Sequence, residues 1–240
     1  MLSIAILAGG LATRMHPATE KIPKSLLLVA GEPFIFHQLK LLKERGISKV
    51  VLCVGHLGEM IEAQVGNGSQ FGLEISYSFD GTELLGTAGA LKKALPLLEE
   101  TFFVLYGDSY LDCDYEAVYE CHKQSKRSAL ITIYHNKCLY DNSNIIFRDK
   151  KIICYDKKHP VPEMQYIDYG LGILQKRLLG NLQSNKFYDL MDTYADLIKK
   201  NELASFVAKK RFYEIGSPHG LKQLSKLLQK KALFRRNLLG

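Results

Sequence analysis

Through the first half of this chain, short β-branched runs alternate with segments of helical period, and that alternation restricts the fold to βαβ units built on a mostly parallel sheet. The run Ser3-Ile-Ala-Ile-Leu-Ala8 is apolar enough to be buried on both faces and reads as the first strand. An amphipathic helix over 34–45 follows, stopped by Gly46, and then a strand over 49–54. A short helix over 57–65, a strand over 74–79, a helix over 87–98 and a buried strand over 102–106 continue the pattern. The second half is less regular, with strands expected at 129–134, 145–147, 152–155, 172–174 and 205–208. Helices are expected around 192–200 and over 218–229. The fold class is therefore α/β, a Rossmann-like three-layer sandwich with a mixed, mainly parallel sheet.

The first strand meets Gly9-Gly10-Leu11-Ala12-Thr13-Arg14, and Pro23-Lys24-Ser25-Leu26 comes shortly after. Glycines let a backbone approach a ligand closely, and successive N–H groups in such a turn form a concave anion site. Arginine adds a planar fork for phosphate oxygens and lysine a compact point charge. The combination suggests a triphosphate. It is neither GxGxxG nor GxxxxGK[ST], so a dinucleotide fingerprint and a P-loop are both set aside. Ligands of open parallel sheets bind at the carboxyl ends of the strands. The Gly9 turn and Gly107-Asp108 both stand at such ends and are expected to face one cleft.

The net charge of +7 favours anionic ligands without naming one. Much of the excess lies at Lys230, Lys231, Arg235 and Arg236. Interleaved aromatics of a nucleic-acid surface are missing, so no nucleic-acid partner is expected. The five cysteines, an odd number without a CxxC pair, indicate neither a disulfide framework nor a zinc site. His16, His56, His122 and His135 show no ligand spacing. No run approaches the roughly 18 apolar residues of a membrane span, and the first apolar stretch lacks a basic leader. A cytoplasmic protein without membrane insertion is expected.

LAGGLATRMHPAT followed by KIPKSLLLVAGEPF resembles the leader of the sugar nucleotidyltransferases, whose pattern is roughly LAGG, any residue, GTRL, then PK, any residue, L. LGTAGAL at 85–91, Gly107-Asp108 after a strand, and Glu214-Ile215-Gly216-Ser217-Pro218 resemble three further stretches of that family. Two departures stand out. The leader's third glycine is Ala12, harmless at negative φ and strained at positive φ, and the family's aspartate before IGTP is Glu214, one methylene longer.

The resemblance implies one domain over 1–228, with 1–125 the nucleotide half and 126–228 the sugar-phosphate half, before a basic tail at 229–240. It implies that Leu7, Ala8, Gly9, Gly10, Thr13, Gly86, Thr87, Ala88 and Gly89 bind the nucleotide. Arg14, Lys24 and Lys157 would act on the phosphates, and Asn144, Asp156, Asp168 and Gly170 on the sugar. Asp108 and Glu214 would hold Mg2+. Ser217 and Pro218 also read as N-cap and first residue of the last helix, a role compatible with metal binding next door. The implied reaction joins an NTP and a sugar 1-phosphate into an NDP-sugar with release of pyrophosphate. The compact domain and the KIPK leader resemble enzymes that pair GTP or UTP with mannose, heptose or muramate phosphates, which points to GTP and a heptose or mannose 1-phosphate. A cytidylyltransferase for phosphocholine or another phosphorylated alcohol, and a non-catalytic nucleotide-sugar sensor, remain as alternatives. No hexapeptide repeats follow the last helix, so the acyltransferase domain appended in some relatives is not expected. The tail's Leu, Phe and basic residues suit docking on a neighbouring subunit, in a homo-oligomer, or on an acidic surface.

Overall fold

The computed structural model describes the backbone of residues 2–239 and the side chains of residues 2–234. Strand β1 (Ile4–Leu7) is followed by a short hairpin, β2 (Leu28–Val29) and β3 (Glu32–Pro33), then α1 (Phe34–Glu44), β4 (Lys49–Val54), α2 (Gly58–Val65), β5 (Glu74–Phe79), α3 (Gly86–Ala94) and β6 (Thr101–Tyr106). The second half runs β7 (Ser109–Tyr110), α4 (Tyr115–Ser125), β8 (Ala129–His135), β9 (Ile145–Arg148), β10 (Lys151–Tyr155) and β11 (Tyr166–Gln175). It closes with α5 (Arg177–Gly180), α6 (Leu190–Lys199), β12 (Leu203–Ala208), β13 (Tyr213–Glu214) and α7 (Pro218–Leu239).

One sheet passes through both halves in the order β5-β4-β1-β6-β11-β8-β12, with the β9–β10 hairpin joined to the start of β11. Strands β5, β4, β1 and β6 are parallel, and β11 runs against both β6 and β8. This is the mixed, mainly parallel sheet expected. The alternation of side chains along β1 divides the core: Ile4 and Ile6 join Leu39, Leu42 and Ile61 on one face, while Ala5 joins Val51, Ala88 and Leu91 on the other. A third cluster seats α7 through Leu224 and Leu228 against Val29, Phe34, Leu41 and Tyr110.

Two expectations need correction. Helix α3 gives way to a 3-10 turn at Leu95–Leu97, where Pro96 has no N–H to continue the ladder. Helix α7 does not stop near 229 but continues to Leu239, because Lys230-Lys231-Ala232-Leu233 are good helix formers with no glycine or proline among them. Its Lys231 is part of the body: Nζ donates to Asp112 Oδ2 at 3.0 Å, and Arg45 pairs with the other oxygen. Burial raises the Asp112 pKa, but the hydrogen bonds from Lys231 and Arg45 outweigh it and hold it at about 2. The side chains of Arg235 and Arg236 lie outside the described residues.

Candidate functional site

The site begins where β1 and β6 end. Ala8 N–H donates to Cys53 O at 2.8 Å and Gly107 N–H to Leu7 O at 3.0 Å, which ties the Gly9 turn to its neighbouring strands. A Cβ at position 107 would lie 2.6 Å from Leu7 O, so only glycine lets the two strand ends approach this closely.

Three cavities meet there. The first, of about 400 Å³, is lined by Leu7, Ala8, Gly9, Gly10, Lys24, Gly86, Thr87, Asp108 and Lys157 among others. The second, of about 580 Å³, is lined by Arg14, Asp108, Asn144, Lys157, Asp168, Gly170 and Glu214 among others. A smaller one of about 200 Å³ is bounded by Ala12, Thr13, Arg14, Met15, Lys24 and Gly216. Asp108 and Lys157 line both larger spaces, Lys24 the first and third, and Arg14 the second and third.

Lys24 Nζ donates to Asp108 Oδ2 at 2.7 Å, and Ser109 Oγ donates to Oδ1 at 3.3 Å. Burial pushes the Asp108 carboxyl up, yet the Lys24 ammonium beside it holds the pKa below the ordinary carboxylate range. Glu214 reaches the same place across nearly half the chain because β13 pairs with β7, setting Glu214 opposite Ser109 and Ile215 N–H on Asp108 O at 3.0 Å. A Cβ at Gly216 would stand 3.0 Å from Glu214 Oε2, 3.5 Å from Asp108 Oδ2 and 3.8 Å from Arg14 Nη2, so the three side chains converge on one point.

Glu214 also serves the helix behind it. Gly216 N–H donates to Oε2, and Ser217 Oγ donates to Oε1 at 2.6 Å while accepting from Gly220 N–H at 2.9 Å. Its negative charge thus sits at the positive end of α7. Among the described residues no cluster of three or more His, Cys, Asp or Glu stands at metal-ligating distance. Asp108 and Glu214 nevertheless form a hard-oxygen pair, with Oδ1 of Asp108 only weakly engaged. Such a pair fits a magnesium-type ion that takes its other ligands from substrate phosphates and water.

In the second cavity Asp168 is held from three sides: Tyr155 O–H donates to Oδ2 at 2.7 Å, Gly170 N–H to Oδ1 at 2.9 Å, and Lys157 Nζ lies 3.3 Å from Oδ2. Asn144 Oδ1 accepts from Asp168 N–H at 2.9 Å. Lys157 rests over the Tyr106 ring, 4.8 Å from its centroid.

Several expected positions are not brought to the cleft. Asp156 turns its carboxylate back on its own loop, accepting from the Lys158 and His159 N–H groups at 2.7 and 3.1 Å, because a three-residue Asx-type turn satisfies it locally. Ala88 is fully buried in the core, and a Cβ at Gly89 would lie 2.5 Å from Lys186 O. These two pack α3 against the segment before α6 instead of lining the cavity. Thr87 does both, lining it while its Oγ1 accepts from Leu190 N–H at 2.7 Å.

Conversely, Asp80 and Phe187 line the first cavity without having been singled out. Asp80 carries a readable signal, an acid directly after a strand as at Gly107-Asp108. Phe187 carries none, being one apolar residue in a polar stretch.

Ala12 takes the left-handed conformation, φ 53° and ψ 37°, held by Thr19 O–H and Met15 N–H, both donating to its carbonyl at 2.9 Å. An L residue with a Cβ is strained there by roughly 1–2 kcal/mol. Ala12→Gly is therefore expected to raise stability by about 1 kcal/mol and the melting temperature by about 2–4 °C, as thermal denaturation would show. A lower melting temperature would mean that the alanine is not strained in this turn.

The carboxyl ends of β1 and β6 thus gather a glycine turn, the cations Arg14, Lys24 and Lys157, and the carboxylates Asp80, Asp108, Asp168 and Glu214 around contiguous cavities of an α/β protein. The chain belongs to the nucleotidyl transferase family, whose pattern it matches over residues 4–230. It is 32% identical over 201 residues to a UTP--glucose-1-phosphate uridylyltransferase of Synechocystis, covering 77% of this chain and 52% of that protein. It is 29% identical over 220 residues to a mannose-1-phosphate guanyltransferase of Gibberella zeae, covering 89% of this chain and 60% of that one. The chain thus spans between half and two-thirds of the length of these curated relatives. Among solved structures, HddC from Yersinia pseudotuberculosis superposes with a TM-score of 0.80 at 25% identity, covering 95% of this chain and all of that one. No described helix is long and apolar enough to cross a membrane.

Proposed function

We propose that this protein joins an NTP to a sugar 1-phosphate, giving an NDP-sugar and pyrophosphate. The observation that carries this reading is the position of Asp108 and Lys157 in the walls of both larger cavities, with Lys24 bonded to Asp108, between a space we assign to the nucleotide and one lined by hydroxyl acceptors. A phosphate oxygen of the sugar phosphate attacks the α-phosphorus, the bond to the β-phosphate oxygen breaks, and pyrophosphate carries away the electron pair. Such a displacement needs alignment of two anions and neutralisation of their charge, with no side-chain nucleophile.

Lys157, steadied by Asp168 and the Tyr106 ring, holds the attacking phosphate. Lys24 faces the α-phosphate, and Arg14, bordering the smallest cavity, faces the departing pyrophosphate. Asp168, Asn144 and Gly170 bound the sugar. A magnesium ion bound by Asp108 and Glu214 would neutralise phosphate charge and polarise the α-phosphoryl group. GTP with a mannose or heptose 1-phosphate is the substrate pair we favour, in keeping with the leader and with the likeness to the Gibberella mannose-1-phosphate guanyltransferase.

Pyrophosphate release, measured over a matrix of NTPs and sugar 1-phosphates with magnesium, is expected only when both substrates are present. One observation favours a second reading, a nucleotide-sugar sensor: both Glu214 oxygens are already taken by Gly216 N–H and Ser217 O–H. Tight binding without turnover across the matrix would decide for the sensor.

A further inference from the structure

The second cavity has two walls that are distant in sequence: the loop from β8 to β9, which contributes Tyr140, Asp141, Asn142 and Ser143, and the stretch from Phe212 to His219. Asn136, fully buried, shapes the loop from within. Its Oδ1 accepts from Tyr140 N–H at 3.3 Å, and its Nδ2 donates to Asp141 O at 2.6 Å and to Ser143 Oγ at 3.1 Å. These bonds are internal to the loop and do not tie it to β13 or α7.

Arg211 supplies that tie. Its guanidinium carbon lies 3.7 Å from the centre of the Tyr140 ring and 4.3 Å from that of Tyr213, the residue before Glu214. Nε donates to Phe212 O at 3.1 Å and Nη2 to Gln223 Oε1 at 2.7 Å, and the two bonds orient the planar group over the rings. Gln223 in turn holds its Nε2 2.6 Å from Nε2 of His219, on the cavity wall. Among the described residues Arg211 has no carboxylate partner, so ring faces and carbonyl oxygens alone meet its charge. One guanidinium therefore joins the loop, β13 and α7.

A wall that moves lowers the population of the binding shape, and the apparent affinity of a ligand falls by the same factor. The first cavity is lined by none of these residues, so the effect is confined to the second. We infer that Arg211 is a positioning residue for the sugar phosphate: by stacking on Tyr140 it holds the loop at 137–143 against β13 and keeps the second cavity in its binding shape. The inference rests on the nucleotidyl-transfer reading in assigning the sugar phosphate to this cavity.

Two measurements on the full chain test it. One is hydrogen exchange of the amides at 137–143, followed by mass spectrometry without substrate. The other is steady-state kinetics with GTP and mannose 1-phosphate, or with the pair that releases pyrophosphate fastest in the matrix. Arg211→Ala and Tyr140→Leu are each expected to speed exchange of the loop and to raise the KM for the sugar phosphate by about 10-fold, the scale of a cation–π contact partly shielded from water. The KM for the nucleotide should stay as in the parent. The double variant should be no worse than either single one, because both remove the same contact. Tyr140→Phe keeps the ring, and its loop should exchange as the parent's does. A merely structural role would not separate the two KM values. An equal rise in both, unchanged loop exchange in Arg211→Ala, or a loop as fast in Tyr140→Phe as in Tyr140→Leu overturns the assignment. The two readings fail separately. Pyrophosphate release with loop exchange unchanged in Arg211→Ala removes the clasp and keeps the transfer, whereas faster loop exchange in both variants without turnover on any sugar phosphate does the reverse.

Discussion

Replacing Lys24 with alanine is expected to lower turnover by roughly 10²–10³-fold, the scale of removing one electrostatic stabiliser of transition-state charge. Its ammonium lies 2.7 Å from Asp108 Oδ2 and borders two of the three cavities, so it stands where phosphate charge changes during transfer. The variant also removes the cation that offsets burial at Asp108, so the pKa of that carboxyl should rise. The pair opens on the cleft and takes no part in the apolar core, so the stability change should stay near about 1 kcal/mol. Steady-state kinetics together with a melting curve separate the two effects. A variant that unfolds, or one that melts earlier with kcat unchanged, would make Lys24 a structural residue.

The second large effect concerns the carboxylate pair. Asp108→Asn and Glu214→Gln should each raise the magnesium concentration needed for half-maximal rate, and Asp108→Asn should reduce turnover by about 10²-fold or more. The double variant should be far less impaired than the product of the single effects, because both changes empty the same site. Glu214→Gln carries a second signature, since its carboxylate anchors Gly216 N–H and Ser217 O–H at the start of α7. A lower melting temperature is expected from that variant alone. If it melts earlier yet keeps the parent's turnover and magnesium dependence, Glu214 is a helix anchor and Asp108 works with substrate oxygens and water. Glu214→Asp, which restores the family's usual acid, should retain activity if the backbone closes by about an ångström, the length of the missing methylene.

The parallel core was legible because β1, β4 and β6 each carry an apolar run of four residues or more, as burial on both faces requires, and each is separated from the next by helical period. That the Gly9 turn and Asp108 share a cleft followed from strand ends alone. Other positions were decided by partners far away in sequence. Ala88 and Gly89 look like a surface laid along a ligand, yet the segment at 186–188 covers them, and nothing in LGTAGAL announces that cover. Asp156 and Asp168 are both acids near strands, but one is satisfied within three residues and the other by Tyr155 and Lys157 across the second cavity. Position 12 is similar: the residue type is in the sequence, whereas its positive φ comes from the turn that Thr19 and Met15 close around it.

Local chemistry, then, was determined by the sequence by itself: the order of strands and helices, the glycine turn, the cations beyond it and the acids that end strands. These depend on periodicity and on the conformational range of single residues, which act over a few positions. Only the tertiary structure decided which of those groups meet. The β7–β13 pairing carries Glu214 to Asp108, and the convergence of β4, β5 and the Gly9 turn sets Asp80 in the wall of the first cavity. Burial and charge pairing are properties of neighbours in space, and a residue's neighbours in space are set by the packing of the whole chain.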